Sequence, residues 1–193
     1  SHAPRLPEQV LARRYGDCKD KVLLAVAMLR SLGVSAHPAL VHTRLRQAVA
    51  NTLPMPGAFN HVILRAEAGG QTFWLDPTRA AQSGSLDRVA QADFGQALVL
   101  DGRSEALTAM PPPAAPQARR EIAMRIDASM GFASNVTMSV HSAYEGAAAD
   151  DMRDTLRHEN LEDLQRSYLN YYSRSYPGLE IYKPLALYDD EAG

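Results

Sequence analysis

Apolar residues recur at helical spacing in the segment that begins directly after residue 17. One face of this predicted helix is formed, at spacings of three and four, by Val22, Ala25, Val26, Met28, Leu29 and Leu32. Asp17 is a favourable N-cap residue, and Asp20 stands three positions later, where a capping box has its acid. Gly33 follows the last apolar residue and acts as a stop. The pattern therefore predicts a helix from about Cys18 to Leu32.

Alternating apolar and polar residues predict three strands in the rest of the first half. Residues 39–43 read as one strand, and residues 60–66 and 72–76 read as two strands of a hairpin. The hairpin is closed by the turn Ala68-Gly69-Gly70-Gln71. Residues 44–59 contain two prolines and a glycine and form a long irregular stretch, and loops of this length usually serve a function.

A proline-rich segment divides the chain. Residues 110–116 contain four prolines in seven positions, a composition typical of a stiff, extended connector. We therefore predict a first domain over residues 1–109, a linker over 110–116 and a smaller second domain over 117–193. The second domain begins with two alternating runs, around Met124 and Met138, and continues into a long helical stretch. The expected fold class is α+β.

Composition and charge exclude two classes of partner. The 193 residues are 46% hydrophobic and 22% charged, close to the average for globular proteins, so the chain can bury a core. The net charge is −2 and the basic residues are scattered, so nucleic acid is not an expected partner. No apolar run approaches the roughly 20 residues of a membrane span, so we expect no membrane insertion by this fragment.

The single cysteine stands at the start of the predicted helix. Cys18 lies one turn before Val22, on the apolar face and next to the unpaired N–H groups of the helix terminus. Such a position favours a thiolate, the reactive form of cysteine. Taken alone, Cys18 also fits a second interpretation, that of a small buried hydrophobic residue.

The predicted hairpin brings a histidine and an aspartate together. If Gly69-Gly70 is a two-residue turn, His61 faces Thr78 and Asp76 is its diagonal neighbour on the same sheet face, about 7 to 8 Å away. A three-residue loop would instead put the two side chains on opposite faces. Alternatively, His61 is a structural histidine and Asp76, which precedes Pro77, simply opens a turn.

Together these residues meet the requirements of cysteine catalysis. A thiolate nucleophile needs an imidazole beside it, and the imidazole needs a carboxylate that fixes its tautomer. Cys18, His61 and Asp76 are the candidates for these three roles. The backbone N–H of Cys18 is a candidate oxyanion donor, Tyr15 is a candidate second donor, and Asp17 supports the helix start as its cap.

Other chemistry is not expected. Four further histidines lack a second ligand at metal-binding spacing, so we predict no metal site and no cofactor: His37, His42, His141 and His158. Three aspartates near a predicted helix start complement the helix dipole and are expected to be solvated: Asp150, Asp151 and Asp154. An apolar and aromatic stripe is expected to belong to the core of the second domain or, alternatively, to dock a neighbouring domain: Leu161, Leu164, Tyr168, Tyr171 and Tyr172.

Four short motifs carry a resemblance to a known family. They are YGDCKDK at residues 15–21, LRSLGV at 29–34, FNH at 59–61 and WLDPT at 74–78. Over about residues 8 to 100 the chain resembles the bacterial transglutaminase-like superfamily, whose core is papain-like. The resemblance implies a helix carrying the cysteine, packed on an antiparallel sheet that carries the histidine and the aspartate. It gives the triad roles to Cys18, His61 and Asp76.

The resemblance also implies a function and a wider context. Residues 144–189 are similar to the module that follows this core in multidomain bacterial members. The implied activity is peptidase, amidase or transglutaminase-type acyl transfer on a peptide or protein substrate, and the implied compartment is periplasmic or exported. The alternative is a non-catalytic module that binds peptides or other domains of the parent protein. Family cores have further helices before the cysteine motif, whereas about fifteen residues precede it here, so we expect a chain cut at both ends.

Overall fold

The chain forms two compact units. The structure is a computed structural model that describes residues 3–83, 85–86, 89–111, 118–131 and 133–190. The first unit comprises Ser1–Ala80 and Gln91–Ala115, and the second comprises Ala81–Ala90 and Pro116–Gly193. Of the predicted linker at 110–116, only Met110 and Pro111 lie within the described residues. Met110 is buried in the core of the first unit.

The first unit is a mixed α+β structure built on an antiparallel sheet. Its helices are α1 (Pro7–Arg13) and α2 (Cys18–Ser31). Its strands are β1 (Ser35–Val41), β2 (His61–Ala68), β3 (Gln71–Leu75), β4 (Gln96–Val99) and β5 (Thr108–Ala109). They lie in the order β3-β2-β1-β4-β5, and every neighbouring pair is antiparallel. The α+β class expected from the sequence is confirmed.

Two apolar clusters cover the two faces of this sheet. The helix-side cluster joins α2 to alternate residues of β2 and consists of Val22, Val26, Ala36, Val62, Leu64 and Ala66. The far-side cluster consists of Ala39, Val41, Ile63, Trp74, Ala92, Ala97, Val99 and Met110. Because successive side chains of a strand point to opposite faces, β2 contributes buried residues to both clusters. The middle of the sheet is therefore covered on both sides.

The capping box predicted for α2 is confirmed. The Asp17 carboxylate accepts hydrogen bonds from the backbone N–H groups of Lys19 and Asp20, and the Asp20 carboxylate accepts one from the Asp17 backbone. Asp20 is 1% exposed and also forms a 2.6 Å ion pair with Arg5. These bonds satisfy N–H groups that would otherwise be unpaired at the helix start, and so they fix where the helix begins.

Three local expectations for the first unit need correction. The first strand is Ser35–Val41 and so begins four residues earlier than predicted. The stretch expected to be irregular contains two short 3-10 helices, Arg46–Asn51 and Pro56–Ala58. Helix α1 was not predicted, because its seven residues bury only Val10 and carry little periodic signal.

The second unit contains a two-stranded ribbon and two helices. Strands β6 (Ala118–Asp127) and β7 (Thr137–Gly146) pair antiparallel, and helices α3 (Ala147–His158) and α4 (Leu161–Ser173) follow. The predicted pair of strands is present, and the predicted helical stretch is divided where Asn160 caps α4. Nowhere in the described ranges does a helix combine the length and the apolar character needed to span a bilayer.

Two expectations for the second unit are wrong in part. Asp150 is 7% exposed rather than solvated, and it lies 3.3 Å from the guanidinium of Arg153. Of the stripe expected to form the core, Leu164 is buried but Tyr171 is 65% exposed. A short helix presents only a narrow face to its neighbours, so residues at the margins of a periodic stripe stay in solvent.

Candidate active site

The β2-β3 hairpin brings His61 and Asp76 into contact. Both turn glycines, Gly69 and Gly70, have positive φ values of 59° and 76°, which a two-residue turn of type I′ requires. Leu64 pairs with Leu75, and continuing this register puts His61 opposite Thr78, with Asp76 as its diagonal neighbour. The predicted turn and register are thus confirmed. His61 Nε2 lies 2.7 Å from Asp76 Oδ2.

Asp76 is held as a carboxylate. Burial opposes its ionisation, but hydrogen bonds from His61 and Thr78 outweigh burial, so the pKa of Asp76 lies below its ordinary value. Thr78 donates both its backbone N–H, at 3.0 Å, and its hydroxyl, at 2.6 Å, to Asp76 Oδ1. An ionised carboxylate is only an acceptor. The ring proton of neutral His61 therefore sits on Nε2, and Nδ1 is left without a proton.

The second ring nitrogen of His61 is available for chemistry. Within the described parts of the chain, Nδ1 has no hydrogen-bond partner. The His61 side chain is 15% exposed, and the edge of the ring meets Phe94, with ring centroids 5.8 Å apart. An imidazole fixed at one nitrogen and free at the other can accept a proton and release it again.

Phe94 is a site residue that the sequence did not reveal. It lies in a turn that the first 3-10 helix holds in place, since Arg46 forms a 2.6 Å ion pair with Asp93. Gly95 has a φ of 74°, and a Cβ there would lie 2.6 Å from the backbone nitrogen of Gln47. Only glycine fits such a close approach. The stretch expected to be an irregular loop thus positions the aromatic ring that packs on His61.

Cys18 lies at the first position of α2, as predicted. It is half-buried and packs against the helix-side cluster. Helix α2 has 14 residues and β1 has 7, lengths of about 21 Å and 23 Å. Because a three-residue connection joins them and they contact each other, the two elements run antiparallel over the same distance. The start of α2 is therefore level with the end of β1, where Val41 pairs with His61.

The glycine before the cysteine motif is required by packing. A Cβ on Gly16 would lie 2.6 Å from the Cβ of Asp20 and 3.1 Å from Val10. Glycine therefore lets the chain pass close to the first turn of α2. Of the other two residues singled out beside the cysteine, Asp17 is the helix cap. Tyr15 is 77% exposed and makes no hydrogen bond among the described residues.

The structure brings two of the three candidate catalytic residues into hydrogen-bond contact. The His61 side chain lies on the sheet face of the far-side cluster, together with its hydrogen-bonded partner Asp76, because the register aligns His61 with Val41. Cys18 packs on the other face. Over the residues that the structure describes, no hydrogen bond links Cys18 to either of them. The site is thus an imidazole–carboxylate pair with a helix-capped cysteine at the same end of the sheet.

Three of the four further histidines have local partners, and one of these is His158, whose Nδ1 lies 2.8 Å from the carbonyl oxygen of Asp154. His37 Nδ1 lies 3.1 Å from Arg30, and His42 Nδ1 accepts the backbone N–H groups of Arg44 and Leu45. In the described ranges, no three side chains of the metal-binding types converge. Comparisons of the chain with family models, with curated proteins and with solved structures give no match.

Proposed function

We propose that this chain carries out cysteine-dependent amide chemistry of the transglutaminase-like type, with Cys18, His61 and Asp76 as its triad. One observation carries the proposal: the 2.7 Å contact between His61 and an ionised, buried Asp76 leaves Nδ1 of the ring unprotonated. This tautomer is the one required of a base that activates a thiol. The motifs at residues 15–21, 59–61 and 74–78 add the family resemblance.

The proposed reaction passes through an acyl-enzyme. The Cys18 thiolate attacks a carboxamide or peptide carbonyl, so a sulfur–carbon bond forms while the carbon–nitrogen bond breaks. Protonated His61 gives its proton to the leaving nitrogen, and Asp76 stabilises the imidazolium before this transfer. Water then releases an acid, or an amine takes the acyl group. No step uses a cofactor or a metal ion.

The position of His61 on its strand supports pairing with Cys18. His61 is the first residue of β2, so its ring lies at the end of the sheet rather than within it. The start of α2 is level with this end, and Cys18 is the first residue of that helix. A triad therefore requires the sulfur and Nδ1 to meet around the end of the sheet.

A second candidate function is a non-catalytic module that binds a peptide or another domain of the parent protein. A specific observation favours it: Cys18 packs with the helix-side cluster, on the face opposite to His61, and forms no hydrogen bond with it among the described residues. In this alternative Cys18 is a packing residue. Folds of this kind can host both catalysis and binding.

Thiol alkylation distinguishes the two functions. With iodoacetamide at pH 6 to 7, Cys18 should react about tenfold faster than free cysteine, because a helix terminus and an imidazolium favour the thiolate. Replacing His61 with alanine should remove most of this excess. His141→Ala is a matched control, since His141 is exposed on β7. A parental rate no faster than that of free cysteine, unchanged in His61→Ala, would favour the binding module.

A further inference from the structure

Strand β6 of the second unit has an open edge. β6 pairs with β7 on one side only, and within the described residues no strand pairs with its other side. All ten residues of β6 are exposed. A two-stranded ribbon is marginal by itself, and a free edge is a template for another strand. The open edge of β6 is therefore a candidate interaction surface.

The two faces of β6 differ in chemistry. On the even-numbered face Ile122, Met124 and Ile126 are apolar and between 46% and 51% exposed, and Arg120 lies over the ring of Tyr144. On this face α4 reaches the ribbon through the contact of Tyr144 with Tyr168. The odd-numbered face carries four charges in the order Arg119, Glu121, Arg125 and Asp127. Any strand that pairs with β6 must match both the apolar face and this row of charges.

We propose that β6 pairs antiparallel with the β6 of a second copy, about a two-fold axis at Ala123. In this register Arg119 stands opposite Asp127 of the other copy, and Glu121 stands opposite Arg125. The two-fold axis repeats both pairs, so four pairs of opposite charge form. On the other face Ile122 meets Met124 and Arg120 meets Ile126. The strand is thus complementary to itself in the charges of its odd-numbered face and in the apolar pair at its centre.

Neighbouring registers are disfavoured by the same charges. A two-fold axis normal to the sheet keeps each face on its own side, so the strand can shift only in steps that keep even residues opposite even residues. An axis at Ile122 would put Arg119 opposite Arg125, and an axis at Met124 would put Glu121 opposite Asp127. Like charges in directly opposite positions are destabilising. The register with its axis at Ala123 is therefore favoured, and in this register the open edge of β6 is paired within a dimer.

The charges of β6 are available in the single chain. Arg125 has no ion-pair partner among the described residues, and Asp127 uses one oxygen to accept the backbone N–H of Ser129. Arg119 lies 2.9 Å from Glu121 and 3.6 Å from Glu145, and both contacts are solvent-exposed. The edge of β7 offers no such complementarity, because that strand contains no lysine or arginine. A second copy at β6 is thus the occupant that the charges favour.

Cysteine scanning tests the register directly. In the full chain with Cys18→Ala, single cysteines are placed at 122, 123 and 124 and oxidised at a concentration where the parent is dimeric by light scattering. A residue on the two-fold axis faces the same residue of the other copy, and their Cα atoms lie about 4.5 to 5.5 Å apart, a distance that a disulfide spans. Ala123→Cys should form most of the cross-linked dimer. Equal cross-linking at all three positions, or a parent that is monomeric at every concentration, overturns the proposal.

Charge reversal tests the complementarity. Arg125→Glu breaks no ion pair in the single chain. In the dimer it places a glutamate opposite Glu121 of the other copy, at two positions related by the two-fold axis, and it should raise the dimer dissociation constant about tenfold or more. The double variant Glu121→Arg with Arg125→Glu should recover the parental constant. Arg103→Glu, on an exposed turn of the first unit, is the matched control. Failure of the double variant to recover, with all variants folded by circular dichroism, overturns the proposed register.

Discussion

Replacing Asp76 with asparagine should separate the chemistry of the site from its stability. The asparagine oxygen can still accept from Thr78, while its NH₂ group faces Nε2 of His61. An NH₂ group donates, so Nε2 must become the acceptor and the ring proton must move to Nδ1. In this tautomer His61 cannot accept a proton from Cys18. We expect a folded protein with a slowly reacting thiol.

The magnitudes follow from the three hydrogen bonds of Asp76. Losing a charge-assisted bond removes about 1.5 to 3 kcal/mol of support for the imidazolium, and 1.4 kcal/mol corresponds to a factor of ten. Cys18 alkylation should therefore slow at least about tenfold. Asparagine keeps the hydrogen bonds to Thr78, so the free energy of unfolding should fall by only about 1 kcal/mol. Asp76→Ala leaves the His61 and Thr78 donors without an acceptor and should cost about 2 to 4 kcal/mol.

Lowering the pH should reduce the difference in unfolding free energy between the parent protein and Asp76→Asn. The folded-state pKa of Asp76 is lowered from its ordinary value of 3.8, so its carboxylate stabilises the fold fully above that value. This contribution is lost as the pH falls through the lower folded pKa. The difference in unfolding free energy between the parent and Asp76→Asn should therefore be constant near pH 7 and shrink below about pH 4.

The assay combines urea unfolding with iodoacetamide labelling. Glu105→Gln is the control, because Glu105 is exposed and has no hydrogen-bond or ion-pair partner among the described residues. It should change neither measurement. If Asp76→Asn unfolds as expected but labels at the parental rate, Asp76 stabilises the hairpin without serving Cys18, and the triad is refuted while the His61 contact stands.

Two further changes test the support beneath Cys18. Gly16→Ala should lower the free energy of unfolding by about 1 to 3 kcal/mol, because the added Cβ would overlap Asp20. The control is Gly57→Ala, whose Cβ would meet only the end of Met55 at 3.6 Å and which should change the free energy of unfolding by less than about 0.5 kcal/mol. Equal effects of the two substitutions on urea unfolding would contradict the close approach at Gly16. Asp20→Asn should lower the free energy of unfolding at pH 7, and it should lower it by less in acid. Hydrogen bonds from Arg5, opposed by burial, lower the Asp20 pKa, so its contribution is lost as the pH falls; a loss independent of pH would contradict this.

Local signals in the sequence predicted the parts of the site that local geometry decides. The start of α2 follows from Asp17 and Asp20, whose side chains satisfy backbone groups within three residues of each other. The contact of His61 with Asp76 follows from a two-residue turn, which two consecutive glycines make readily. Each inference needed a single short element, and each predicted arrangement is present.

Contacts between distant segments could not be predicted in this way. Phe94 reaches His61 because Arg46 pairs with Asp93 across 47 positions of the chain, and neither charge has a local pattern around it. Gly95 marks this turn in the sequence, since glycine readily adopts a positive φ. Without the fold, nothing indicates which backbone it approaches.

The relation of Cys18 to His61 depends on which face of the sheet α2 covers, and β2 carries no signal that decides it. A strand with one solvated face shows alternation, whereas Val62, Ile63 and Leu64 are all buried and read as a continuous apolar run. The hairpin fixes His61 and Asp76 on one face whichever side the helix takes. The face of α2 is set by packing of the whole unit. The two candidate functions therefore differ in one tertiary relation, whether the sulfur of Cys18 meets Nδ1 of His61 at the end of the sheet, and the effect of His61→Ala on alkylation measures that relation directly.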